Sequence, residues 1–140
     1  MTDQDKSDDK SKARVAPDGA IPPARPYHGQ CHCGAVRFSV VSDLSNPSDC
    51  NCSHCRRLGW IMQSVPASAF TLIGGAEALT PYRFNTETID HSFCRVCGIE
   101  SFARGTDGRG NELVMININC LEPAVRVDPG AITHWDGANF

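Results

Sequence analysis

Three stretches decide the fold: GQCHCGAV (residues 29–36), DCNCSHCRR (49–57) and FCRVCG (93–98). They place seven of the chain's eight cysteines in close sets: Cys31 and Cys33; Cys50, Cys52 and Cys55; Cys94 and Cys97. Cysteines one or two residues apart are at metal-ligand spacing, because one short turn can aim both sulfurs at a single ion. A structural zinc takes four ligands in a closed tetrahedron, whereas a catalytic zinc keeps a position open. Two pairs make four, and the triple is one ligand short. The expectation is two zinc ions per chain: a structural one on Cys31, Cys33, Cys94 and Cys97, and a catalytic one on Cys50, Cys52 and Cys55. Cys33 and Cys97 are each followed by glycine, which tolerates the positive φ that a metal-binding turn needs just after its ligand. The two pairs therefore read as sister half-sites. Cys120 stands alone.

Composition narrows the rest. A chain of 140 residues suggests one domain, and its formal net charge of -3 with a pI near 5.9 shows no basic stripe for nucleic acid. No apolar run is long enough to span a membrane. The first residues, MTDQDKSDDK, lack the apolar stretch of a secretion signal. Cysteines in that context belong to a reducing, cytoplasmic compartment, where thiols bind metal; CxC and CxxC pairs are in any case poor geometry for long-range disulfides. Residues 1–26 mix acidic and basic residues with Pro17, Pro22, Pro23 and Pro26, and read as a flexible charged, proline-rich tail. Residues 27–140 form the zinc-binding domain.

Within that domain Val36, Phe38 and Val40 alternate with Arg37 and Ser39, a half-buried strand leaving the first cysteine turn. Further short strands are expected over 60–65, 70–73, 79–84 (an edge strand, from Pro81) and 113–119, with residues 88–93 leading into the last cysteine pair and 101–104 out of it, and turns at Gly74-Gly75, Asn85-Thr86 and Asp128-Pro129-Gly130. No helix longer than three turns stands out; residues 66–69 allow one helical turn. The fold class is mainly β.

GQCHCGAVRF (29–38), CNCSHCRR (50–57) and HSFCRVCGIESF (91–102), in that order, resemble the glutathione-dependent formaldehyde-activating family, which includes the centromere protein V-like proteins. FCRVCGIESF followed by CLE (120–122) is most similar to the centromere protein V-like branch. The resemblance implies a small zinc-stapled β-tent fold. It also implies a carbon–sulfur lyase activity run in the synthetic direction, with glutathione and formaldehyde as partners giving S-hydroxymethylglutathione.

The chemistry of the triple agrees. Three thiolates on Zn²⁺ leave a net charge of about -1, so the centre is a poor Lewis acid for water. A thiol suits the fourth position better, held as a nucleophilic thiolate. Alternatives for that position are His32, His54, His91, Cys120 or a carboxylate, any of which would close the site. His32 and His54 sit inside their motifs and should point off the turn, and Cys120 reads as a buried thiol or a neighbour of the open zinc. Arg56 and Arg57 follow the triple and are candidates to grip a carboxylate of the thiol substrate. Trp60 reads as core, Arg104 and Arg109 as weaker candidates for a lid, and HWDG (134–137) as packing. The alternative function is a non-catalytic, zinc-stabilised module binding protein or nucleic acid; the odd ligand count of the triple favours chemistry.

Overall fold

The computed structural model describes residues 14–15, 23–84 and 88–139. In chain order the described elements are β1 (Arg14–Val15), β2 (Arg25–Gln30), β3 (Arg37–Ser42), β4 (Ser48–Cys50), α1 (Ser53–Leu58), β5 (Met62–Pro66), β6 (Phe70–Gly74), β7 (Leu79–Tyr82), β8 (Asp90–Cys94), β9 (Glu100–Thr106), β10 (Glu112–Asn117), β11 (Leu121–Glu122), β12 (Arg126–Val127) and β13 (Thr133–Trp135), with single 3₁₀ turns between several of them. The mainly β class read from the sequence is the one observed.

Two sheets carry the fold. A seven-stranded sheet runs β13-β4-β5-β10-β9-β8-β7, and a four-stranded sheet runs β11-β2-β3-β6. β1 and β12 form a separate two-residue parallel ladder. The first cysteine pair lies in the turn between β2 and β3, in the smaller sheet. Of the last pair, Cys94 ends β8 and Cys97 lies in the turn to β9, in the larger one. Alternation along β3 works as expected: Phe38 and Val40 are buried, Arg37 is exposed and Ser39 half-buried. Phe38 stacks on Phe70 at 5.4 Å between centroids and meets Phe102 edge-on at 6.3 Å, so residues of both sheets share one core. Gly29 lies opposite Phe38, and a Cβ there would stand 2.3 Å from the ring. The chain therefore needs glycine at that point to admit the phenylalanine.

Several boundaries differ from expectation. The strand expected over 60–65 starts later, at Met62, because Trp60 is buried beside Cys55 and Ala103 in a second small cluster. The smaller sheet takes up the chain at Arg25, where pairing with Ser42 begins, and Tyr27 is already core. Neither β2 nor β13 shows a clean alternation in sequence, so neither is expected from it. α1 has no counterpart among the expected elements. Cys52 caps it, accepting the Cys55 N–H, and Gly59 ends it at φ +73°. β7 is an edge strand, consistent with Pro81. The Asn85-Thr86 turn and most of the tail fall outside the described residues. Among the described residues no helix is long and apolar enough to cross a membrane.

Phe38 is fully buried between the sheets, so Phe38→Ala should cost roughly 3–5 kcal/mol in a denaturant melt of the metal-loaded protein. Val41→Ala, on the exposed face of the same strand, should stay within about 0.5 kcal/mol.

Candidate metal centres

The sulfurs of Cys31, Cys33, Cys94 and Cys97 all lie within 4.8 Å of one another. Cys33 Sγ is 3.6 Å from both Cys31 Sγ and Cys94 Sγ. Two sulfurs about 2.3 Å from one zinc at the tetrahedral angle stand about 3.8 Å apart, so the set is the right size for a four-thiolate ion. The two half-sites are built alike. The Cys31 N–H donates to Val36 O and the Cys94 N–H to Ile99 O, so each turn closes across five residues. The Val36 N–H points at Cys31 Sγ and the Val96 N–H at Cys94 Sγ. Gly34 and Gly98 both sit at φ +83°, a left-handed conformation that side chains resist. Burial pushes the Cys97 thiol up, but N–H groups and the facing thiols outweigh it and lower it to about 6. Cys33, despite the Ala35 N–H, is pushed up to about 11 by burial and its neighbouring thiols. Four thiols this close cannot all ionise without a cation among them.

The second group is assembled at a strand–helix junction. Cys50 ends β4, Cys52 caps α1 and Cys55 lies in its first turn. Their sulfurs also fall within 4.8 Å of one another, and no fourth His, Cys, Asp or Glu among the described residues joins them. The Cys52 N–H approaches Cys50 Sγ at 3.5 Å and the Cys55 N–H approaches Cys52 Sγ at 3.3 Å. Burial raises the Cys52 thiol, yet the Cys55 and His54 N–H groups and the adjoining thiols bring it below its usual range. Burial drives Cys55 strongly upward, with only the Trp60 indole opposing. The Trp60 N–H makes no well-formed hydrogen bond and is aimed loosely at that sulfur.

The HWDG segment does more than pack. β13 runs parallel to β4, pairing Trp135 with Cys50, and Asn51, between Cys50 and Cys52, ties it down. The Asn51 N–H donates to Trp135 O at 3.1 Å, its amide donates to Asp136 at 2.9 Å, and its Oδ1 accepts the Ala138 N–H at 2.9 Å. This strap brings Gly137 onto the sulfurs: a Cβ there would stand 2.5 Å from Cys50 Sγ and 3.2 Å from Cys52 Cβ. A glycine is what leaves room at the cluster's rim.

Arg56 and Arg57 face different cavities. Arg56 lines one of about 360 Å³ with Asp49, Cys50, Asn51, His134, Trp135 and Asp136. Arg57 lines another of about 470 Å³ with Ser53, His54, Leu58, Tyr82 and Phe84, and its guanidinium already donates to Ser53 O. His54 turns away from the three sulfurs, as expected, and meets His91 and Glu100. Burial, and then His91, lower its pKa, while Glu100 opposes them. His32 is exposed. Cys120 is a buried thiol, raised by burial to about 11; the groups near enough to act on it include Cys31 and Cys97, so it lies by the four-cysteine set and not by the triple. Arg104 lies over the rings of Phe70 and Phe102, and the Arg109 N–H donates to Asp107 in the turn joining β9 to β10. Arg104 thus has ring partners, whereas the Arg109 bond is made by its backbone N–H and leaves its exposed side chain uncommitted by that contact. The Glu100 cluster and the strap do not stand out in the sequence as site features: Glu100 looks like one more residue of a strand, and only the fold brings 134–137 beside 50–52.

Residues 26–136 match a protein family described as glutathione-dependent formaldehyde-activating enzyme. A curated protein of Halomonas elongata, provisionally named a glutathione-dependent formaldehyde-activating enzyme, is 37% identical over 78 residues, which is 49% of this chain and 50% of the relative. The chain's match thus spans about half the length of that relative. A crystal structure of a Rhodobacter sphaeroides protein is similar at a TM-score of 0.62 and 34% identity, over 72% of this chain and 99% of the other.

Two substitutions separate the roles of the two cysteine groups. Cys94→Ser, at a fully buried ligand position, should abolish the cooperative thermal transition, whereas Cys55→Ser should retain it. Gly137→Ala should reduce the metal held per chain by about one ion, measured by elemental analysis, while the four-cysteine group stays loaded.

Proposed function

The chain belongs to the glutathione-dependent formaldehyde-activating family, and we propose that it joins a small thiol, glutathione, to a small aldehyde, formaldehyde, at the Cys50–Cys52–Cys55 group. The single observation that carries this reading is the unequal division of sulfurs: four enclose one position, and three gather at another with no fourth His, Cys, Asp or Glu of the described residues among them. The spacing of the first group and the glycine cradle at the second both fit zinc, so we assign two zinc ions per chain. A zinc on the triple would supply the charge that keeps a visiting thiol deprotonated near neutral pH.

The chain's own residues do the rest. Cys50, Cys52 and Cys55 provide three sulfur donors, two of them (Cys50 and Cys52) held by backbone N–H groups, so the group needs little rearrangement to accept a further sulfur. Arg56 shares its cavity with Cys50, which makes it the better placed of the two arginines to hold a carboxylate of glutathione; Arg57 is committed to Ser53. Asp49 and Asp136 line the same cavity but are engaged by His134 and by Asn51 and Asn139. The thiolate sulfur adds to the carbonyl carbon, one carbon–sulfur bond forms, and the oxygen takes up a proton equivalent to the one the thiol lost. Nothing is oxidised. In the reverse direction this is a carbon–sulfur lyase reaction. Thiolate-rich sites suit a reducing, cytoplasmic compartment. FCRVCGIESF followed by CLE favours the centromere protein V-like branch.

Glutathione binding measured by calorimetry should weaken at least tenfold in Cys52→Ser and several-fold in Arg56→Gln, with Arg57→Gln close to wild type. Binding indifferent to Cys52→Ser would remove the enzyme reading and leave a zinc-stabilised binding module.

A further inference from the structure

One cluster of ligand-type side chains lies apart from the cysteines. His54 from α1, His91 from β8 and Glu100 from β9 bring one donor atom each to within 4.8 Å of one another. The cluster is well covered: the side chains of Glu100, His91 and His54 are 4%, 5% and 20% exposed. A carboxylate buried to this degree requires a compensating charge or a full set of donors. Its immediate partners are the two imidazoles.

Hydrogen bonding accounts for only half of this arrangement. Glu100 Oε2 lies 2.8 Å from His91 Nδ1, a good hydrogen bond. Glu100 Oε1 lies 3.4 Å from His54 Nε2, well beyond the roughly 2.7–2.9 Å of a charge-assisted bond. The other ring nitrogen of His54 is buried with no hydrogen-bond partner. His54 is nonetheless held firmly, its ring 4.1 Å from His91 and stacked at 5.3 Å on Phe84 and 5.8 Å on Tyr82. A separation of 3.4 Å is too wide for a good hydrogen bond between the two atoms, but it is the spacing of two ligands of one ion. An imidazole nitrogen and a carboxylate oxygen, each about 2.1 Å from a tetrahedral metal, stand about 3.4 Å apart.

We propose that His54, His91 and Glu100 form a third metal site, built of nitrogen and oxygen donors, for a divalent cation of the zinc class. It is distinct from both cysteine groups in donor chemistry. Imidazole and carboxylate suit Zn²⁺, Co²⁺, Ni²⁺ or Fe²⁺, without the thiolate donors that favour the softer ions. Three protein ligands leave a coordination position for water or an oxygen ligand. His54 also lines the cavity of about 470 Å³ closed by Tyr82 and Phe84, so the site borders a space that a small ligand can enter. The assignment does not depend on thiol–aldehyde chemistry at the triple.

The test uses the full chain loaded with two equivalents of zinc, which the thiolate groups take first, leaving the nitrogen and oxygen donors free. Co²⁺ is added, bound cobalt is measured by equilibrium dialysis, and the absorption spectrum is recorded. Wild type should bind one Co²⁺ more than Glu100→Gln, and that ion should show ligand-field bands without sulfur-to-cobalt charge transfer. His54→Gln, at the least buried of the three positions, should lose the same ion and decides the matter if Glu100→Gln fails to fold. Equal cobalt binding in wild type and the variants would overturn the proposal. So would an extra ion whose spectrum carries the thiolate charge-transfer band, since cobalt would then have displaced zinc from the cysteines.

Discussion

Four sulfurs drawn from two hairpins, one in each main sheet, are gathered where a single metal ion could tie the two sheets together. The β2–β3 hairpin supplies Cys31 and Cys33, and the β8–β9 hairpin supplies Cys94 and Cys97. Cys33 and Cys94 are 61 residues apart, and bringing the ends of a loop of that size together costs about 4 kcal/mol of chain entropy. Structural zinc sites return about 10–16 kcal/mol in peptides at neutral pH, so a metal here outweighs the closure cost. That surplus matters in a small domain whose single core must be shared by two sheets. Phe38, Phe70 and Phe102 interlock across the gap that such a clip would close.

The second cysteine group depends on this frame without resembling it. The first group is two copies of one turn, each completed by a glycine at φ +83°. The second is a strand end followed by a short helix, resting on a satellite cluster of Trp60, Ala103, Met62 and Met115. A strap from late in the sequence covers its rim through Asn51. Rigid walls, helix on one side and strap on the other, surround a group with fewer donors than a closed ion requires. Such a division of labour lets one site carry stability while the other stays adaptable.

Much of this is legible in the residue order, because metal ligands are set by local spacing. Counting cysteines predicts both groups, and glycine after Cys33 and Cys97 predicts the matched turns. Alternation around Phe38 marks the first core strand. What local patterns hide is long-range pairing. β13 is three residues long, exposed, and parallel to a strand 85 positions earlier, so nothing nearby announces it. α1 is obscured because its capping residue is a cysteine, a residue type that normally signals metal and not helix initiation. Glu100 and His91 face each other across adjacent strands, and His54 reaches them from the helix; only the register of β8 against β9 brings them together. Arg56 and Arg57 are neighbours in the chain yet line separate cavities, a separation set by the helix and absent from the sequence pattern.

Gly137 lies three positions before the last residue of the sequence and directly against Cys50 Sγ. A polyhistidine tag fused just after Phe140 would begin within reach of the three-cysteine group, offering imidazoles in quantity at a place where a donor is missing. Metal counts and ligand affinities obtained on such a fusion would describe the appendage as much as the domain. Recombinant material for quantitative work is better carried on an amino-terminal handle that can be cleaved away.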